Sequence, residues 1–267
     1  MADMVTKAEQ AELIAVAAEL ADAARAATLL HFRTADLAAD TKETDRFDPV
    51  TVADRLSEQR MREILAQRRP QDAVLGEEMG PTPGSSGLTW VLDPIDGTRS
   101  YLCGAPTWGV LISVADATGP IYGLIDQPYI GERFEGGFGR AAMTGPHWSR
   151  PLRTRAARPL SQAILMTTFP EVGTAEEGAA FRRLVPQCRL TRYGMDCYAY
   201  ALIAAGHIDL VVEAGLQAYD VQAPIAVIEA AGGIVTDWQG RPCPQGGRVL
   251  AAANADVHAA ALAVLNG

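Results

Sequence analysis

Apolar residues recur at helical spacing over residues 7–32, and the alanine content of that stretch favours one long helix. Residues 34–47 are polar and charged, which predicts a loop or loose hairpin, and Lys42 sits in it. The helical period returns over residues 51–69, where Pro70 stops it and Thr51 with Asp54 forms a variant capping box at the start. Short strand-like runs follow at residues 73–75, 88–92, 109–114, 121–126 and 133–136, predicting a mostly antiparallel, turn-linked sheet. Beyond Pro151 the pattern alternates: strand 163–167, helix 175–184, strand 189–191, helix 195–205, strand 208–212, then a helix from Asp220. A strand at 250–253 and a helix at 256–265 close the chain. The expected division is an N-terminal α+β subdomain over residues 1–150 and a C-terminal α/β subdomain over residues 151–267.

Composition narrows the function classes. With 267 residues, 48% apolar and 21% charged, the chain can bury a sizeable core as an ordinary globular protein. A net charge of −9 argues against nucleic acid or an anionic membrane as the main partner. Cys103, Cys188, Cys197 and Cys243 have no paired metal spacing and no disulfide framework, and they read as reduced thiols of a cytoplasmic protein. The acidic, alanine-rich N-terminus has neither a signal-peptide pattern nor a membrane span. His31, His147, His207 and His258 lack ligand spacing with one another or with cysteine, which argues against zinc.

Candidate chemistry lies in acids that follow apolar runs. Trp90-Val91-Leu92 leads into Asp93-Pro94-Ile95-Asp96-Gly97-Thr98, and a strand ending there presents two carboxylates at its exposed end. Pro94 fixes one torsion and Gly97 permits a tight turn. Hard anionic oxygens beside a Gly-Thr pair with free amides suit a divalent cation that itself holds a phosphate, although the same residues compose ordinary turns. Val74-Leu75-Gly76-Glu77-Glu78 again ends an apolar run in paired acids. Asp220 precedes the apolar run 223–228 and serves either the same cluster or a helix N-cap, a role worth about 1 kcal/mol. Asp48, ahead of the second helix, is left without an obvious structural task by the sequence pattern.

The segment Asp48-Pro49-Val50-Thr51-Val52-Ala53-Asp54, then Gly76-Glu77-Glu78, then residues 92–98, then Tyr219-Asp220 through Gly232-Gly233 resemble the signature motifs of the inositol monophosphatase superfamily, in that family's order. The resemblance implies a layered αβαβα fold combining α+β and α/β parts. It also implies a metal-dependent phosphomonoesterase that uses two to three Mg2+ ions per site, with Mn2+ as a substitute, commonly as a homodimer. Carried over position by position, Glu77, Asp93 and the Ile95 carbonyl hold one ion, and Asp93, Asp96 and Asp220 a second. A third is held more weakly near Glu77. Thr98 stands beside the attacking water with Asp48 accepting its proton, and Gly97 and Thr98 aim amides at phosphate oxygens. Thr98 is equally a candidate N-cap. Glu78 is an orienting acid or a surface acid. Lys42 is a phosphate screen or a solvated lysine. Without cations, unit charges about 4 Å apart repel by roughly 4 kcal/mol per pair at an effective dielectric of 20, so raised carboxylate pKa values are expected.

Two runs look closer to the family's histidinol-phosphatase branch. One spans residues 93–111 with Arg99-Ser100-Tyr101 and Pro106-Thr107-Trp108-Gly109. The other runs from Arg192-Tyr193-Gly194-Met195-Asp196-Cys197 on to Glu213. Histidinol phosphate carries an ammonium and an imidazole, which Asp196 or Glu213 can bind, with Arg192 and Gly194 nearby in sequence. Asp196 is also suited to a helix N-terminus, and Glu213 also matches a contact to inositol hydroxyls. An inositol phosphatase is therefore the alternative. A non-enzymatic regulatory protein of the same fold is a third reading, opposed by the intact set Glu77, Asp93, Asp96, Thr98 and Asp220.

Overall fold

The structure, a computed structural model, describes residues 5–34, 39–41 and 49–267. Lys42 and Asp48 lie outside the described residues. The chain opens with α1 (Lys7–His31), the paired short strands β1 (Ala39–Thr41) and β2 (Pro49–Thr51), and α2 (Val52–Arg68). Eight strands follow: β3 (Ala73–Gly76), β4 (Gly80–Thr82), β5 (Thr89–Asp96), β6 (Gly109–Asp116), β7 (Gly119–Gln127), β8 (Glu132–Gly137), β9 (Arg140–Thr144) and β10 (Ser149–Pro151). They form one sheet in the order β10-β9-β8-β7-β6-β5-β3-β4, antiparallel except at β3–β5, and the short helix α3 (Thr98–Leu102) leaves β5. The rest of the chain supplies β11 (Ile164–Thr167), α4 (Ala175–Leu184), β12 (Leu190–Tyr193), α5 (Asp196–Ala204), β13 (Leu210–Leu216), α6 (Ala218–Ala230), β14 (Ile234–Thr236), β15 (Gly247–Ala252) and α7 (Ala255–Leu265). Its five strands order as β12-β11-β13-β15-β14, with β11 parallel to both neighbours.

Side-chain alternation along the strands explains the layering. In β6, Val110, Ile112 and Val114 face Leu13, Leu20 and Met61 of α1 and α2, while Leu111 points the other way toward Tyr200 and Val221 of α5 and α6. In β13, Val211 joins that same central cluster, while Leu210 and Val212 pack with Phe181 of α4 and Val257 of α7. Both sheets are thus covered on both faces, and α5 and α6 are the shared middle layer of an αβαβα stack. That middle layer matters for function because α5 and α6 each start where the two sheets converge on the acids.

The sequence pattern anticipates α1, α2 and the central strands but misses β4, β9, β10 and β14, of three to five residues each; β4 and β10 contain proline, and β14 is too short to show a period. It also ends the fifth strand early. β5 continues through Asp96, so the acid pair sits on the strand itself, with an irregular register between Asp93 and Asp96, and Asp93 is buried rather than exposed. All four cysteines are free thiols. Among the described residues, no helix is long and apolar enough to cross a membrane.

Candidate active site

The site is assembled from strand ends and helix starts. Pro94 and Ile95 interrupt the β5–β6 ladder, and the Asp93 carboxylate accepts the Ile95 amide at 3.0 Å, closing a tight turn at the cavity wall. Gly97 takes φ +86°, a left-handed conformation that a side chain strains, and it caps α3. A Cβ there would meet Asp196 Cγ at 2.6 Å, so the turn and the start of α5 are packed as one piece. Thr98 is therefore the first residue of α3 rather than its N-cap. Its hydroxyl donates to the Ile95 carbonyl at 3.2 Å and to Asp54 at 3.4 Å.

Asp220 is likewise not an N-cap. The N-cap of α6 is Gln217, and Asp220 sits one turn in, where its carboxylate accepts the Gln217 amide at 2.6 Å. Glutamine is a weak capping residue, which is why the reciprocal box was invisible in sequence. The result brings Asp93, Asp96 and Asp220 together, with one carboxylate oxygen of each within 4.8 Å of the others. Burial pushes the Asp93 carboxyl well above its ordinary range, and the neighbouring charges of Glu77, Asp96 and Asp220 push it further. Asp96 is raised for the same first reason, with Asp196 and Asp220 as the repelling neighbours, and an N–H bond from Cys197 at 2.5 Å opposes the shift. A compact, anionic, all-oxygen donor set of this kind fits a hard divalent cation.

These acids form one end of a cavity of about 930 Å³ that also includes Glu77, Ile95, Gly97 and Thr98. Its outer part is lined by Arg99, Phe169, Glu171, Glu177, Asp196, Glu213 and Arg248, among others. Arg99 lies over the Phe169 ring at 5.0 Å, and Arg248 faces Glu177 at 3.6 Å. Glu213 is buried and accepts from the Thr168 amide (2.9 Å), the Thr168 hydroxyl (2.6 Å) and Tyr200 (3.1 Å). Asp196 adopts φ +47°, and one of its oxygens accepts from both Ser100 (2.6 Å) and Thr107 (2.8 Å). Burial raises both carboxyls, while these hydroxyl donors pull them down.

Two expected substrate residues are not brought to the cavity. Arg192 and Gly194 are exposed at the end of β12, the edge strand of the second sheet, and line no part of it. The chain enters the cavity only at Asp196, after the turn. Glu78 is half-buried beside Glu77 and does not line the cavity either. Conversely, the sequence pattern assigned no site role to Glu58, and none individually to Asp54, Ser100 or Thr107. Asp54 had been absorbed by its capping role, which it does perform, accepting the Thr51 amide at 2.8 Å.

With this geometry in view, the family comparison is decisive: residues 9–266 match the model of the inositol monophosphatase family. The chain belongs to that family. An inositol monophosphatase from Zymomonas mobilis superposes with a TM-score of 0.85 at 38% identity, covering 98% of this chain and all of the other. The bifunctional phosphatase IMPL2, chloroplastic, of Arabidopsis thaliana is 40% identical over 93% of this chain and 73% of its own length. A histidinol-phosphatase of Streptomyces coelicolor is 34% identical over 92% of this chain and 94% of its own. As an inositol monophosphatase family member the protein is a metal-dependent phosphomonoesterase, and the Asp93–Asp96–Asp220 cluster is an acidic group able to bind a metal.

Proposed function

We propose that this protein hydrolyses L-histidinol phosphate to L-histidinol and phosphate, activated by two to three Mg2+ ions, for which Mn2+ can substitute. The observation that carries the reading is the charge of the cavity beyond the metal cluster. Four carboxylates (Glu171, Glu177, Asp196 and Glu213) face two cations, and of those Arg248 is paired with Glu177 and Arg99 rests on Phe169. An alcohol that carries an ammonium and an imidazole gains from such a wall, whereas a neutral polyol does not. The histidinol-phosphatase name of the Streptomyces coelicolor relative supports the same reading.

In this proposal Glu77, Asp93, Asp96, Asp220 and the Ile95 carbonyl hold the ions. Bound there, the cations supply a lowered pKa for the attacking water and charge stabilisation for the leaving oxygen. The Thr98 hydroxyl orients the water, its own proton donated toward the Ile95 carbonyl and Asp54, and Asp48 accepts the proton that the water releases. The amides of Gly97 and Thr98 hold phosphate oxygens at the start of α3, and Asp196 and Glu213 receive the cationic alcohol. A second reading, hydrolysis of myo-inositol 1-phosphate, is favoured by Glu213, whose carboxylate already accepts hydroxyls from Thr168 and Tyr200 and can accept those of a polyol.

Phosphate release from histidinol phosphate, myo-inositol 1-phosphate, fructose 1,6-bisphosphate and adenosine 3′,5′-bisphosphate, measured side by side with Mg2+, tests the proposal. Histidinol phosphate should give the highest kcat/KM. Absence of turnover on it, with turnover on the inositol ester, makes the second reading correct.

A further inference from the structure

The face of α2 that turns toward the site is polar although it is fully buried. Asp54 and Glu58, one helical turn apart, are both 0% exposed. Burying two carboxylates is costly unless each is fully hydrogen-bonded, so their partners show what they are for. Asp54 reaches the Thr98 hydroxyl, as described above. Glu58 reaches the other half of the site. One of its oxygens accepts the Glu78 amide at 2.7 Å, and the other accepts the Met79 amide at 3.1 Å and Arg62 Nε at 2.7 Å.

These bonds enclose Glu77. Its own amide donates to the Leu92 carbonyl of β5 at 3.2 Å, and the next two amides end on Glu58. The Glu58 carboxylate fills the space that a side chain at Gly76 would occupy, so the residue before Glu77 is also pinned. Arg62 completes the clamp by donating to the Gly80 carbonyl and, at 2.9 Å, to the Thr82 hydroxyl, which ties down the β3–β4 hairpin from behind. Four consecutive residues, 76–79, are therefore fixed by β5 on one side and by α2 on the other.

We propose that Glu58 is a positioning residue of the metal centre. It sets the place of the Glu77 carboxylate by holding the turn that carries it, while Asp54, on the same helix face, holds the turn that carries Thr98. Helix α2 thereby acts as a rigid spacer between the turns that carry Glu77 and Thr98, 21 residues apart in sequence. The inference rests on the reading of Glu77 as a metal ligand.

Binding of Mn2+ to the metal-free protein, followed by titration calorimetry, tests both levels separately. Glu77→Gln removes a ligand, whereas Glu58→Gln keeps the size of the clamp but forfeits one backbone bond and the charge facing Arg62. Losing a hydrogen bond to a charged group corresponds to about tenfold in an equilibrium constant, so Glu58→Gln should weaken Mn2+ about tenfold. The KM for the phosphate ester at saturating Mn2+ should stay within about twofold of wild type, a split that general loosening of the fold would not produce. If Glu58→Gln does not fold, Arg62→Met, which leaves Glu58 in place, is judged by the same criterion. Unchanged Mn2+ affinity in the clamp variant beside weakened binding in Glu77→Gln overturns the positioning role. Unchanged binding in Glu77→Gln itself overturns the ligand assignment on which that role rests.

Discussion

Gly136 is one of the points, with Gly123, at which the first sheet packs closely on the helix that carries Asp220. It lies in β8 directly beneath α6, and a Cβ built on it would press on the Val227 backbone and stand 2.6 Å from the Ala226 carbonyl oxygen. Ordinary contact begins near 3.4 Å, so clearing the nearer Val227 Cα in Gly136→Ala requires α6 to lift by about 1 Å, and both neighbours are backbone atoms that cannot rotate away. Overpacking of this kind costs about 1–3 kcal/mol. For a chain of this size each kcal/mol lowers Tm by about 2–4 °C, giving an expected loss of roughly 2–12 °C. The functional consequence follows from the rigidity of the helix. Asp220 lies seven residues before Val227, about 10 Å along the same axis, and moves with it. Misplacing a reacting group by about 1 Å can cost on the order of a hundredfold, so kcat/KM should fall roughly tenfold to a hundredfold. Differential scanning calorimetry and phosphate release over a range of Mg2+ concentrations provide the two readouts. A Tm within about 1 °C of wild type, together with kcat/KM within about twofold at every Mg2+ concentration, would refute the lever argument.

Three further outcomes are expected. Asp93→Asn should nearly abolish turnover, because Asp93 touches the fields of Glu77, Asp96 and Asp220 at once, and turnover within a few-fold of wild type at saturating Mg2+ would remove it from the ligand set. Asp196→Asn should lower kcat/KM for histidinol phosphate by about tenfold to 150-fold, the worth of a charge-assisted hydrogen bond, and leave p-nitrophenyl phosphate unaffected. Equal losses on the two esters would instead assign Asp196 to holding Ser100 and Thr107. His258, buried in α7 against the Thr236 hydroxyl at 2.8 Å, is held below its ordinary imidazole value by burial. The unfolded chain then binds the proton first, so the stabilisation is complete above about pH 6.5 and is lost as pH falls toward the lower folded value. His258→Gln should therefore show a smaller drop in Tm between pH 7.5 and 5.5 than wild type does, and equal drops would contradict the assignment.

The metal motif was legible because its residues are close in sequence and chemically unusual together. An acid, a proline, a second acid and a Gly-Thr pair behind an apolar strand also compose ordinary turns, and it is the further acidic segments at Glu77 and Asp220 that favour the metal reading. The antiparallel first sheet and the α/β second half were legible from short strand-like runs and helical spacing, whereas the αβαβα layering was implied by the family resemblance. What escaped has definite causes. Glu58 lies among eight other charged or amide side chains on α2, and a helix pattern alone does not distinguish a buried acid from a solvated one. Ser100 and Thr107 bind Asp196 across about 90 residues, a pairing that no local spacing reveals. Strands β9 and β10 are held by the ladder of the sheet rather than by their own propensity, since β10 is only Ser149-Arg150-Pro151. Arg192 and Gly194 entered as part of the run that resembles the histidinol-phosphatase branch, and a run of neighbours in sequence does not show which of its side chains line the cavity; here only Asp196 and Cys197 of that run's first part do.

The most direct test of the functional account is the ratio of kcat/KM for histidinol phosphate to that for myo-inositol 1-phosphate, measured on one preparation at saturating Mg2+ and repeated after chelation. The account predicts a ratio above one, with phosphate release from both esters abolished by the chelator and restored by Mg2+. A ratio below one would contradict the cationic-alcohol assignment, and release that persists in the metal-free protein would contradict the role given to Glu77, Asp93, Asp96 and Asp220.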